Sequence, residues 1–205
     1  TTIARQFART QKASIVWEIN AETHESLTES FEKIAHSLAI TEEEKKILKE
    51  IYETKESDKR KLQVLSFVRN KLKSYTNWFF VFDNVEKFSD IQDYFPHNSN
   101  AWGKGKILLT TRDVNIQNNN PIDDIMLIRE LNKDEKLNLF VQIIEFGNIR
   151  KLTPFELKEA KKFLKEIPPF PLDISVSAYY LKSMNIPYIK YLERLKENNS
   201  SFIFL

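Results

Sequence analysis

A chain of 205 residues can bury a sizeable core and suits one domain, or one and part of a second. Its charges nearly cancel, leaving +2, so composition makes no case for a nucleic-acid-binding surface. The absence of cysteine excludes disulfides, thiolate metal sites and thiol nucleophiles, and fits a reducing compartment. No apolar run approaches membrane-spanning length, no apolar signal-peptide core stands at the start, and a cytoplasmic location is expected.

In chain order, Ile3, Ala4, Phe7 and Ala8 form an apolar stripe opposite Arg5 and Arg9, which predicts a helix over residues 1–10. Residues 14–19 are β-rich and read as a strand. Over residues 25–39, Leu27, Phe31, Ile34, Ala35 and Leu38 share one helical face. Thr41 with Glu44 has the spacing of a capping box, opening a charged helix whose Glu and Lys cluster reads as a solvated face. Asp58 can cap a further helix bearing Leu62, Leu65, Val68 and Leu72, which leads into the next strand.

Next comes Trp78-Phe79-Phe80-Val81-Phe82, five bulky apolar residues running straight into Asp83. A run without alternation reads as a strand buried on both faces, as inside a parallel sheet. Its terminal carboxylate then falls on the carboxyl edge, where open α/β sheets bind ligands. Residues 88–95 read as a short helix or turn, and residues 97–104 as a polar loop. Residues 107–110 form a second short buried strand leading into Thr111-Arg112-Asp113, and an Asn-rich loop follows. Residues 125–128 read as a third apolar strand. Beyond about residue 130 only helices are expected. One is capped by Asn132 with Glu135 and stopped by Gly147. Another is opened by Thr153-Pro154-Phe155-Glu156 and broken by Pro168 and Pro169, and two more cover residues 172–183 and 187–197. The apolar end, residues 201–205, has no obvious partner.

Three features fall where a phosphate-handling site needs them: Asp83 at one strand exit, Arg112 past the next, and Pro171 opening a helix. A carboxylate and a guanidinium delivered to one sheet edge can serve Mg²⁺ and a terminal phosphate respectively. A surface ion pair with Asp113 is the plain alternative for Arg112, and a hydrophobic core strand is the plain alternative for the run before Asp83.

Taken in order, these segments resemble the NB-ARC family of STAND nucleoside triphosphatases. Trp17 to Thr23 is similar to the strand after the family's first helix, and Phe79 to Val85 to its Walker B strand. Gly105-Lys106-Ile107-Leu108-Leu109-Thr110-Thr111-Arg112 is similar to the sensor-1 segment, Gly-Ser-Lys-Ile followed by apolar residues and Thr-[Thr/Ser]-Arg. Leu131 to Phe140 resembles the family's Leu-x-x-x-Glu-x-x-x-Leu-Phe helix, and Pro169-Phe170-Pro171-Leu172-Asp173 its Gly-Leu-Pro-Leu-Ala motif. The family's phosphate loop ends Gly-Lys-Thr-Thr, and this chain opens Thr1-Thr2.

The resemblance implies an α/β fold: a P-loop NTPase-type, mostly parallel sheet flanked by helices, missing its first strand, over residues 1–130. A small, incomplete helical subdomain follows over residues 131–205. It implies that ADP or ATP is bound with Mg²⁺, Thr1 and Asp83 holding the metal and Asp83 doing so through water. Thr1, Thr2, Arg112 and Pro171 would contact nucleotide. Asn84 stands where many members carry a second acid, and an amide cannot take a proton, so a slow ATPase is implied at most. With three glycines and no phosphate-loop lysine, the chain reads as a fragment with weak or no hydrolysis of its own. Expected partners are adenine nucleotide and protein domains of the same switch, with oligomerisation of a longer parent, and neither nucleic acid nor membrane. The competing expectation is an interaction scaffold that binds no nucleotide.

Overall fold

The computed structural model describes residues 1–145 and 152–201. The chain divides into two compact units, Thr1–Ile125 and Met126–Leu205.

The first unit is built on three parallel strands in the order β1 (Ile15–Asn20), β2 (Trp78–Val85), β3 (Gly105–Thr111). Helix α1 (Thr2–Thr10) precedes β1. Helices α2 (His24–Leu38), α3 (Glu42–Glu53) and α4 (Ser57–Leu72) form the first crossover. Short helices α5 (Phe88–Ile91) and α6 (Ser99–Trp102) lie in the second. Because side chains alternate along a strand, Trp78, Phe80 and Phe82 enter the main core with Phe31, Ile34, Val68 and Trp102. Phe79 and Val81 face the other way, onto Ala4 and Ala8 of α1. The central strand is therefore buried on both faces from Trp78 to Phe82.

The sheet's second face is covered thinly. Two alanines one turn apart let α1 approach closely, which leaves Ile3 and Phe7 of the expected stripe exposed on its flank, although Phe7 still contacts the Phe79 ring. Strand β3 lies at an edge, bonded only to β2 among the described residues, and is half-buried where a buried strand was expected. Residues 125–128 form no strand. They run without secondary structure, pair with no strand among the described residues and are exposed, Met126 at 81% and Ile128 at 67%.

Further readings shift. In α4 the buried stripe runs through Val64, Leu65, Val68 and Leu72, so Leu62 points to solvent, roughly a quarter turn from its centre. Asp58 lies in the first turn of that helix and the cap position is Glu56, with no side-chain cap bond. The segment expected to be a polar loop holds α6, whose Trp102 is fully buried.

The capping boxes at Thr41–Glu44, Asn132–Glu135 and Thr153–Glu156 all form, as does one at Thr23–Ser26. Glu44 does more than cap. Its Oε2 accepts from the Ile40 and Thr41 amides at 2.8 and 2.9 Å, while Oε1 takes the Lys71 ammonium of α4. This pair departs from the solvated face expected for the cluster. The Lys71 hydrogen bond, with the Thr41 and Ile40 amides, pulls the Glu44 carboxyl down to about 2. The folded carboxyl therefore titrates below its unfolded counterpart. Its stabilising contribution is complete above the ordinary 4.5 and is lost as pH falls through about 2. A carboxyl NMR titration should place the Glu44 midpoint near that low value, and Lys71→Met should raise it; a wild-type midpoint at the ordinary value would contradict the pairing.

The second unit is helical: α7 (Lys133–Ile144), α8 (Pro154–Glu166), α9 (Pro171–Met184) and α10 (Tyr188–Ser201). Its own core gathers Phe140, Phe163, Leu164, Ile174, Ala178 and Tyr191. The buried Lys136 ammonium donates to the Ile167 carbonyl at 2.6 Å and to that of Leu164, capping the end of α8. The expected stop at Gly147 and residues 202–205 lie outside the described residues.

Candidate functional site

Parallel strands bring their carboxyl ends to one edge of the sheet, and at that edge Asp83 is held from three sides. Its carbonyl accepts from the Ala21 amide just past β1, at 2.8 Å. Its carboxylate Oδ1 accepts from the Thr110 hydroxyl of β3 at 2.6 Å and from the Thr1 hydroxyl at 2.9 Å. Thr1 occupies the cap position of α1, but its hydroxyl makes no cap bond and turns to Asp83.

The Asp83 side chain is 14% exposed. Burial pushes its carboxyl up. Hydrogen bonds from Thr110 and Thr1, then the Arg5 guanidinium, outweigh that and hold it below the ordinary value. Asp83 is thus kept ionised in a part-buried place. Its Oδ2 receives no hydrogen bond from the described residues.

The two residues at the end of β2 interrupt the ladder. Phe82 pairs with Leu109 and Val85 with Thr111, so Asp83 and Asn84 together oppose Thr110 alone. This is a β-bulge, and Asn84 adopts the left-handed region within it, with φ of 64°. Asparagine tolerates that conformation better than most residues. The Asn84 amide donates to Thr110 Oγ1 at 2.9 Å.

Arg112 lies one residue past β3 and is exposed, with no ion pair or hydrogen bond among the described residues. The alternative pairing with Asp113 does not form. The Asp113 carboxylate accepts from the Asn115 amide at 2.9 Å, and its amide donates to Thr111 Oγ1 at 2.9 Å. These short loops hold the backbone around Arg112 and leave its guanidinium free. Thr2 is the first residue of α1 and is exposed. Pro171 belongs to the second unit, at the first turn of α9. The turn before it is tied to the segment leading into α7 by the Leu131 amide, which donates to the Pro169 carbonyl at 2.8 Å.

Two features escape a reading of the sequence. Thr110 is the closest partner of Asp83; the signal for it is its place near the end of the strand that follows. Arg5 of α1 grips Glu18 of β1, its Nε donating to both carboxylate oxygens at 2.8 Å, and this docks the helix that carries Thr1. Nothing in the spacing of Arg5 and Glu18 announces that pair, because it depends on how helix and strand lie together.

The oxygen donors fit a hard divalent cation. A hydroxyl and an ionised carboxylate stand 2.9 Å apart, with one carboxylate oxygen open. No group of three His, Cys, Asp or Glu side chains able to hold a metal exists among the described residues. That donor set suits Mg²⁺, which is usually held by one or two protein oxygens together with water and phosphate.

The NB-ARC domain family model matches residues 1–148, most of the chain. No curated protein matches it. The three-stranded parallel sheet flanked by helices, the acid closing its central strand and the family match agree: the chain belongs to the NB-ARC domain family, nucleotide-binding signalling modules with the P-loop NTPase fold.

Proposed function

We propose that this chain is the ADP- or ATP-binding part of a STAND-type switch, in which nucleotide exchange controls the arrangement of its two units. The observation that carries the reading is the convergence of Thr1 and Thr110 on Asp83, with Arg112 free just beyond β3. Residues 1–130 form the P-loop NTPase part and residues 131–205 the helical part. Thr1 and Asp83 would hold Mg²⁺, Asp83 through water, and the ion would neutralise phosphate charge. Arg112 supplies a planar, permanently charged donor fork suited to a terminal phosphate. Thr2 and Pro171 complete the nucleotide contacts.

A switch needs differential affinity: nucleotide must favour one arrangement by a few kcal/mol to move its population. Asn84 supports holding nucleotide over turning it over, since its amide cannot accept a proton. Hydrolysis by this chain is accordingly weak or absent. No helix among the described residues is long and apolar enough to cross a membrane. We place the protein in the cytoplasm, acting through protein partners and oligomerisation of the longer switch.

The test is titration calorimetry with ADP and a non-hydrolysable ATP analogue, with and without Mg²⁺, on the protein bearing a Gly-x-Gly-Lys loop ahead of Thr1. Asp83→Ala should weaken Mg²⁺-dependent binding about 10- to 100-fold, the usual worth of a charge-assisted contact. Arg112→Ala should leave ADP affinity nearly intact and reduce the preference between ATP analogue and ADP. Equal affinities in variant and wild type would sink these assignments, and no binding at all would favour the scaffold.

A further inference from the structure

The bulge that carries Asp83 does not hold itself. Asp83 and Asn84 face a single residue across the ladder, Thr110, and every polar atom of that hydroxyl is engaged with them. The direction of these bonds is unambiguous. A backbone amide can only donate, so Asn84 commits the Thr110 oxygen as acceptor at 2.9 Å. An ionised carboxylate can only accept, so the Thr110 proton goes to Asp83 Oδ1 at 2.6 Å.

The result is a one-way chain from the Asn84 amide through Thr110 to Asp83. It ties the left-handed Asn84 to the rotamer of the neighbouring carboxylate. Because Thr1 also donates to Oδ1, two hydroxyls from different elements load one oxygen and leave Oδ2 clear. Thr1 sits at an exposed helix end, whereas Thr110 is part of a paired strand, so the strand hydroxyl is the firmer of the two supports.

We propose that Thr110 is the positioning residue of the metal–nucleotide site, bracing the Asp83–Asn84 bulge so that Asp83 presents Oδ2 outward. This rests on the reading of Asp83 as a metal-site residue. Thr110 itself touches no ligand in this account; it acts through Asp83. The loop bearing Arg112 leaves the same strand two residues later, so the brace also links the two strand ends that carry the site's carboxylate and guanidinium.

The experiment uses the chain as it stands, with Thr110→Val, which is nearly isosteric and removes the hydroxyl, and Thr110→Ser, which restores it. Amide hydrogen exchange at Asn84 scores the brace, and Mn²⁺-induced broadening of the Asp83 and Asn84 amide signals scores the metal site. Exchange at Asn84 should be about tenfold faster in Thr110→Val, as expected for a lost acceptor, and near wild type in Thr110→Ser. Mn²⁺ broadening should need about tenfold more metal in Thr110→Val and recover in Thr110→Ser. Wild-type exchange at Asn84 in Thr110→Val overturns the brace, as does a Thr110→Ser variant that fails to rescue. If wild type shows no Mn²⁺ broadening, the metal reading of Asp83 fails and the positioning role falls with it, whatever exchange shows at Asn84. Should Thr110→Val unfold, Thr110→Ser alone decides between the outcomes, since loss of protection there counts against the proposal.

Discussion

Phe80→Ala should cost the first unit about 3–5 kcal/mol, the range for truncating a large buried aromatic. Phe80 is fully buried on the central strand, with its ring 4.9 Å from that of Trp78 and 6.4 Å, edge-on, from that of Phe31. Neighbours on both adjoining strands and on α2 hold the walls of the space it would vacate, so collapse is limited and the cavity penalty adds to the lost transfer energy. The chain is well arranged for the measurement: Trp17, Trp78 and Trp102 all lie in the Thr1–Ile125 unit, so tryptophan fluorescence during urea unfolding reports that unit alone. A loss under about 1 kcal/mol would show that the sheet can close over the gap. Asp83 lies three residues past Phe80 on the same strand, so the same change should loosen the candidate site.

Gly105→Ala should be nearly as damaging, for the opposite reason. Gly105 pairs with Trp78 across the parallel ladder, and the indole lies over it. A Cβ there would stand 2.0 Å from Trp78 Cδ2 and 2.2 Å from Cε2 and Cε3, well inside contact distance. The ring cannot swing aside freely, because Trp78 is 2% exposed and its Nε1 donates to the Trp102 carbonyl at 3.0 Å. Overpacking and a broken buried hydrogen bond together should cost about 2–4 kcal/mol. A double-mutant cycle with Trp78→Leu checks the cause. Removing the indole should make Gly105→Ala nearly neutral, and an undiminished cost in the double variant would place the fault elsewhere.

This second case shows what a motif leaves unexplained. In the sequence Gly105 stands at the head of a segment resembling sensor 1, as a letter in a pattern. In the structure it is the floor beneath a tryptophan, and its lack of a side chain is a packing requirement of the strand next door. Asp83 follows the same logic. The apolar run before it was legible as a buried strand, because burial on both faces removes the alternation a half-exposed strand would show. Its exit at the carboxyl edge followed. The Thr110 hydroxyl that holds it was not legible, since a bulge at 83–84 sets the register and no local pattern announces one.

The expectations that failed share a cause. Residues 125–128 and the Ile3 and Phe7 pair are as apolar as the segments that are buried, but hydrophobicity states what a residue favours and not whether a neighbour is there to meet it. A strand needs a partner for its amides and carbonyls, and residues 125–128 pair with no strand among the described residues.

Local chemistry was therefore settled by the sequence alone: helix starts through capping boxes, breaks at Pro168 and Pro169, the change from α/β alternation to helices, and the placing of an acid and an arginine at successive strand exits. Each of these depends on residues within a turn or two of one another, or on their order along the chain. Tertiary structure alone decided the rest. It brought the hydroxyls of Thr1 and Thr110, 82 and 27 residues from Asp83, onto one carboxylate oxygen, and set Arg5 against Glu18. Those contacts form only after parallel strands align their ends, since that alignment brings groups distant in the chain within a hydrogen bond of each other.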